Sequence, residues 1–189
     1  MRHAIIPIRS FGGMTRLDGV LNATERRSLS LWLASQTIDA TRDALMHPTI
    51  VTSDDDVTHW ARSHGADVAR DVPPGLSASV SAAVSALEGA PWLVVHADLP
   101  LVDADSLAGL GFEADEHRWS IAPSLDGGTN VIAGTGAMSF SYGPDSFHRH
   151  LALLPSAAIV VDRRLALELD TPSHMAVLST LGFLPSLSA

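Results

Sequence analysis

Three short stretches of the chain hold the residue types that phosphate and metal chemistry use. The first runs from Arg9 through Gly12, Gly13 and Thr15 to Arg16, directly after the apolar run Ala4–Ile8. Glycines let backbone N–H groups approach phosphate oxygens, and arginines offer forked donors that match phosphate geometry. The spacing is neither a Walker loop nor a dinucleotide fingerprint, and taken alone a Gly-Gly turn is more often an ordinary loop. The second stretch is Val94-Val95-His96-Ala97-Asp98-Leu99-Pro100. A carboxylate at the end of a buried strand is desolvated and needs a partner, and Mg2+ is a natural one beside phosphates. A helix cap or turn residue is the equal alternative for Asp98. The third is Leu167-Glu168-Leu169-Asp170-Thr171-Pro172. It repeats the context of Asp98, although Asp170 alone reads most simply as the N-cap of a final helix. Two such aspartates in one sheet suggest a shared metal site.

These residues need elements to hold them, and the chain supplies an alternation of short β-branched runs with longer Ala/Leu/Ser stretches. That alternation predicts βαβ units and a mostly parallel sheet, in which ligands gather at the carboxyl ends of strands. Strands are expected at Ala4–Ile8, Thr49–Ser53, Ala66–Ala69, Pro91–His96, Trp119–Ala122, Val131–Ala133, Ala137–Phe140 and Ala158–Val161. Asn22 or Thr24 caps a helix to about Ala40. Asp54 to Asp56 and Asp103 to Asp105 open two more, because acidic residues suit the positive end of a helix. Ser77–Leu87 is rich in small residues and suits close packing on a sheet. Helices over Asp145–Leu154 and after Pro172 complete the set. The segment 71–75 reads as a turn, and the end from Pro185 as loose.

Composition narrows the class. At 189 residues and 46% hydrophobic, the chain fits one domain over residues 1–189. It has no cysteine, which removes disulfides, thiolate metal sites and cysteine nucleophiles. The apolar start is too short for a signal peptide, and no run reaches the ~20 residues of a membrane span. A cytoplasmic protein with no membrane partner is expected. The net charge of −9 argues against nucleic acid but not against a nucleotide, which a local loop, arginines and a metal can hold. His148 and His150 are two apart and would leave a helix on different faces. His96 reads as a packed core histidine turned away from Asp98. The tryptophans at 32, 60, 92 and 119 are scattered anchors and make no stacking platform.

The order and spacing of these pieces resemble one family. Gly127-Gly128-Thr129-Asn130 and Tyr142-Gly143-Pro144-Asp145-Ser146-Phe147-His148-Arg149-His150-Leu151, with Asp98-Leu99-Pro100-Leu101 and Leu169-Asp170-Thr171-Pro172, resemble the 2-phospho-L-lactate guanylyltransferases (CofC/FbiD type) of coenzyme F420 biosynthesis. The likeness spans Ile5 to about Leu181. It implies a three-layer α/β/α Rossmann-like nucleotidyltransferase fold with a mostly parallel mixed sheet. It also implies an enzyme that moves GMP from GTP onto 2-phospho-L-lactate, phosphoenolpyruvate or 3-phospho-D-glycerate, releasing pyrophosphate. By the same resemblance Asp98 and Asp170 hold Mg2+, and Arg9 to Arg16, with Gly12, Gly13 and Thr15, take the triphosphate. Gly75 and Ser77 belong to the nucleotide side. Thr129, Gly143 and Ser146 hold the acceptor's carboxylate. The partners implied are small molecules, with a homodimer as the one assembly left open.

Two positions depart from the pattern. The family's loop reads lysine, a short spacer, then Lys-Ser/Thr-Arg-Leu. Here Arg9 stands for the first lysine and Met14 for the second, ahead of Thr15-Arg16-Leu17. The family's Gly-Leu-Asn is here Gly75-Leu76-Ser77. Both changes fall on the nucleotide side. They leave two other readings open: a non-catalytic homologue that binds the phosphoacid or a protein, and a transferase of another nucleotide.

Overall fold

The protein is described from a computed structural model covering residues 1–71 and 75–183. The strands are β1 (His3–Pro7), β2 (His47–Thr52), β3 (Asp67–Arg70), β4 (Pro91–Val95), β5 (Trp119–Pro123), β6 (Thr129–Thr135) and β7 (Ala158–Ile159). They form one sheet in the order β3-β2-β1-β4-β6-β5-β7. β6 runs antiparallel to both β4 and β5, and the other pairs are parallel. The reversal places the start of β6 beside the end of β4, with Val95 opposite Val131.

Side-chain alternation along the central strands builds two cores. Ala4, Ile6, Leu93 and Val95 face α1 (Ala23–Asp43), α2 (Asp55–Ser63) and α4 (Ala104–His117). Ile5 and Val94 face α3 (Leu76–Ser85) and α5 (Ser146–Leu153). The result is the expected three-layer α/β/α sandwich, with the small residues of α3 lying close on the sheet. A third cluster joins Leu17 and Leu21, from the loop after β1, to Leu29 and Leu33 of α1 and to Leu167, Leu169 and Leu178. It ties the first candidate loop to the segment carrying Asp170. The last two helices are α6 (Arg163–Ala166) and α7 (Pro172–Thr180).

Local chemistry sets the helix starts. Asn22 and Glu25 form a reciprocal capping box on α1. Asp54 accepts from the N–H groups of Asp56 and Val57 on α2, and Asp103 accepts from Ser106 N–H on α4. α7 is capped by Thr171, whose hydroxyl accepts from His174 N–H. Asp170 is therefore not the cap, and its carboxylate is free for other partners.

Two expected strands change. Residues 137–140 are not a strand, although Met138 and Phe140 are buried in the core. β6 is already paired on both sides, so the chain leaving it through Gly136 has no edge to join. Phe140 N–H donates to Ser81 Oγ instead. The last strand stops at Ile159, because Asp162 caps the unforeseen α6. Most of the expected turn at 71–75 and the tail from Pro185 lie outside the described residues. Among the described residues, no helix is long and apolar enough to cross a membrane.

Candidate active site

At the carboxyl ends of β1 and β4 the loops part around a cleft of about 750 Å³. The same cleft is lined by Arg9, Gly13, Met14, Thr15 and Arg16 from the first loop, by Gly75 at the start of α3, and by Asp98 and Asp170. The backbone draws the two aspartates together: Leu169 N–H donates to the Asp98 carbonyl at 2.8 Å. The last strand-like segment, 167–170, thus lies against the loop that leaves β4.

Electrostatics within the cleft is dominated by buried acid. Burial pushes the Asp98 carboxyl up, with His96 opposing that shift and Asp170 adding to it. Burial, together with repulsion from Asp98, Asp126 and Asp170, pushes Glu168 up to about 8. Such shifts mean that these carboxylates carry their charge only at a cost in the protein alone, and a cation would relieve it. Asp98 Oδ1 and Asp170 Oδ1 are both buried with no hydrogen-bond partner. Glu168, Asp170 and His174 also offer ligand atoms within 4.8 Å of one another. Orphaned buried carboxylate oxygens are what a hard divalent cation fits, so the residues present suit such an ion.

Arg16 donates to Asp170 Oδ2 at 2.7 Å and is 69% exposed at its side chain. His174 Nδ1 lies 3.0 Å from Asp170 Oδ1, without the alignment of a hydrogen bond. Arg9 is exposed at the cleft mouth and Gly12 faces solvent outside the lining set. Met14 adopts a left-handed φ of 59° and packs partly on the leucine cluster.

Thr129, Gly143 and Ser146 form a second group that does not line the cleft but meets on its own. Ser146 Oγ is 3.4 Å from Thr129 Oγ1, and Ser146 N–H donates to the Gly143 carbonyl. Thr129 opens β6, and its neighbour Asn130 accepts from His96 N–H through its carbonyl. The group therefore sits at the end of β4, the same edge as Asp98. Gly143 has a φ of 120°, a conformation glycine adopts without strain. Ser77 Oγ accepts from Tyr142 N–H, so its side chain holds this second loop while Ser79 and Leu76 line the cleft.

Some residues were missed or misread. His96 lines the cleft with Asp98; it is not turned away. Residues two apart on an extended chain share a face, so position alone should have paired them. The same spacing makes Glu168 a companion of Asp170. His174 is brought in by the first turn of α7. His150 is fully buried and His148 exposed, in keeping with their different helix faces. Trp92 and Trp119 meet in the core with ring centres 5.7 Å apart, which agrees with an anchoring role.

Comparison with known proteins gives the site its relatives. A family model described as guanylyl transferase CofC like matches residues 2–161. The phosphoenolpyruvate guanylyltransferase of Roseiflexus sp. (strain RS-1) is 35% identical over 156 residues, covering 79% of this chain and 70% of that one. The 2-phospho-L-lactate guanylyltransferase of Methanoregula boonei is 28% identical over 186 residues, covering 95% and 83%. Among solved structures, a nucleotidyl transferase from Methanothermobacter thermautotroptrophicus superposes with a TM-score of 0.66 at 15% identity, covering 96% and 97%. That likeness shows the fold. With the family model spanning most of the chain, the protein is a nucleotidyltransferase that belongs to the CofC-like guanylyl transferase family.

Proposed function

We propose that this protein transfers GMP from GTP to the phosphate of a phosphorylated three-carbon acid in coenzyme F420 biosynthesis. An acceptor phosphate oxygen attacks the α-phosphorus in line, a P–O–P bond forms, the bond to the β-phosphate breaks, and pyrophosphate leaves. A phosphate dianion is already a nucleophile, so the reaction needs positioning and charge neutralisation more than a general base.

The observation that carries this reading is the convergence of the Arg9–Arg16 loop, Asp98 and Asp170 on one cleft. Asp98 and Asp170 would hold Mg2+, which when bound supplies charge neutralisation and alignment of the two phosphates. Arg9 and Arg16 neutralise the triphosphate, and Arg16 must exchange its carboxylate partner for phosphate to do so. Gly13, Thr15 and Gly75 line the nucleotide side of the cleft, with Gly12 and Ser77 beside them in the chain. Thr129, Ser146 and the backbone at Gly143 hold the acceptor's carboxylate beside the end of β4. 2-Phospho-L-lactate, phosphoenolpyruvate and 3-phospho-D-glycerate share the carboxylate and phosphate that these groups address. Two of the three appear in the names of relatives. With small-molecule reactants and no membrane partner in this reading, the cytoplasm is the compartment proposed.

The experiment is a pyrophosphate-release assay pairing each nucleoside triphosphate with each acid, with and without Mg2+. Release with GTP and one of these acids, dependent on Mg2+, supports the reading. Release with CTP in place of GTP would overturn the base assignment. No release with any pair would favour the non-catalytic reading, to which Met14 lends weight by placing a thioether where the family carries an ammonium.

A further inference from the structure

Thr129 sits in a hydrogen-bond arrangement that decides the direction of its hydroxyl proton. Ser141 N–H donates to His150 Nε2 at 2.9 Å, so Nε2 carries a lone pair. A neutral imidazole then bears its proton on Nδ1. That nitrogen lies 3.0 Å from Thr129 Oγ1, and its N–H donates to the hydroxyl oxygen. Ser146 Oγ approaches the same oxygen at 3.4 Å, a contact in which either hydroxyl can give the proton. A hydroxyl has two lone pairs and one proton. With one lone pair taken by the His150 N–H, the Thr129 proton cannot point at the ring and lies on the far side of the oxygen.

All three side chains are buried: Thr129 is 2% exposed, Ser146 2% and His150 0%. Burial, with Arg149 and His96 nearby, holds His150 down to about 4, so its neutral form persists at neutral pH. The imidazole is fixed by more than one contact. Arg149 donates from Nε and Nη2 to the Ser141 carbonyl, so consecutive residues of α5 clamp Ser141 at both its N–H and its C=O. Tyr142 packs edge-on against the ring, with centres 5.0 Å apart.

We propose that His150 is a positioning residue that turns the Thr129 hydroxyl proton away from α5, so that it is presented to the acceptor's carboxylate. The inference rests on the assignment of Thr129 to the acceptor's carboxylate. A hydroxyl free to rotate could accept from an amide N–H as readily as donate to a carboxylate. One that already accepts from a fixed imidazole N–H keeps its proton off that side and is biased towards giving it to a carboxylate.

Three measurements test it. First, long-range 1H–15N spectroscopy of the wild-type histidine rings at neutral pH should show His150 as the Nδ1–H tautomer; the Nε2–H tautomer would overturn the proposal without need of any variant. Second, with phosphoenolpyruvate as the varied acid, His150→Leu should raise its KM about tenfold while the KM for GTP stays within about twofold. His150→Gln, which keeps a donor and an acceptor, should recover most of the loss. In a Thr129→Val background, His150→Leu should add less than about twofold, because the hydroxyl it orients is gone. Additive effects, or equal rises in both KM values, would reduce His150 to packing. Third, the wild type should prefer the carboxylate over the matching carboxamide as inhibitor, and His150→Leu should narrow that preference; an unchanged preference overturns the proposal. A wild type inactive with every acid would instead count against the guanylyltransferase reading, while the tautomer would still report on the relay.

Discussion

Met14→Lys supplies the ammonium that the family resemblance implies for the loop after β1, and the structure makes the exchange unusually clean. Met14 already has a left-handed backbone, φ 59° and ψ 36°. Neither methionine nor lysine is branched at Cβ, so the backbone strain is the same before and after. The side chain is partly buried, between the cleft and the leucine cluster of Leu17, Leu21 and their neighbours. Removing the thioether from that cluster costs about 1 kcal/mol, which the lysine stem partly recovers by lying along the same surface. For a chain of this length such a loss lowers Tm by roughly 2–4 °C. Against it stands a new charge-assisted contact to the triphosphate, worth about 1.5–3 kcal/mol. At about 1.4 kcal/mol per factor of ten, the KM for GTP should fall by roughly tenfold or more. The KM for the acid should hardly move. The assay is steady-state pyrophosphate release with GTP varied at saturating acid, beside Met14→Leu as a control that keeps volume without charge. A KM for GTP unchanged in Met14→Lys, with the variant folded, would refute the premise that position 14 faces the phosphates.

Three further outcomes are expected. Asp98→Asn should abolish nearly all transfer and weaken Mn2+ binding followed by paramagnetic resonance; metal binding equal to wild type would remove Asp98 from the cation site. Thr129→Val should weaken acid binding by roughly tenfold to a hundredfold, the worth of one hydrogen bond to a charged group, with GTP affinity by calorimetry unchanged; equal losses would count against the acceptor pocket. Asp162 is held below its ordinary 3.8 chiefly by its hydrogen bond to Arg164, 2.6 Å away. A depressed carboxylate stabilises above its unfolded pKa and loses that contribution as pH falls through the folded value. Arg164→Ala should therefore lower stability at neutral pH, with the gap closing below about pH 4; a gap independent of pH in urea unfolding would break that reasoning.

What could be read from the chain was whatever depends on neighbours in sequence. Short continuous apolar runs placed β1 and β4, Asn22 or Thr24 announced the start of α1, and Gly12-Gly13 between two arginines announced a loop able to meet phosphate. The family likeness added expected roles for Thr129, Gly143 and Ser146 that no spacing could have supplied. What the chain could not show was which distant pieces share an edge and which partners their polar atoms find. Residues 137–140 have strand composition, yet both sides of β6 were already taken, a fact of sheet order and not of propensity. His96 needed only the two-residue period of a strand to be placed beside Asp98. Arg16 meeting Asp170, 154 positions away, could not be foreseen, because the pairing depends on the leucine cluster that folds one loop over the other. The direction of the Thr129 proton depends on a backbone N–H at Ser141 and a ring on α5. Hydrogen-bond direction follows from three-dimensional donor and acceptor placement, which residue order leaves open until the layers have packed.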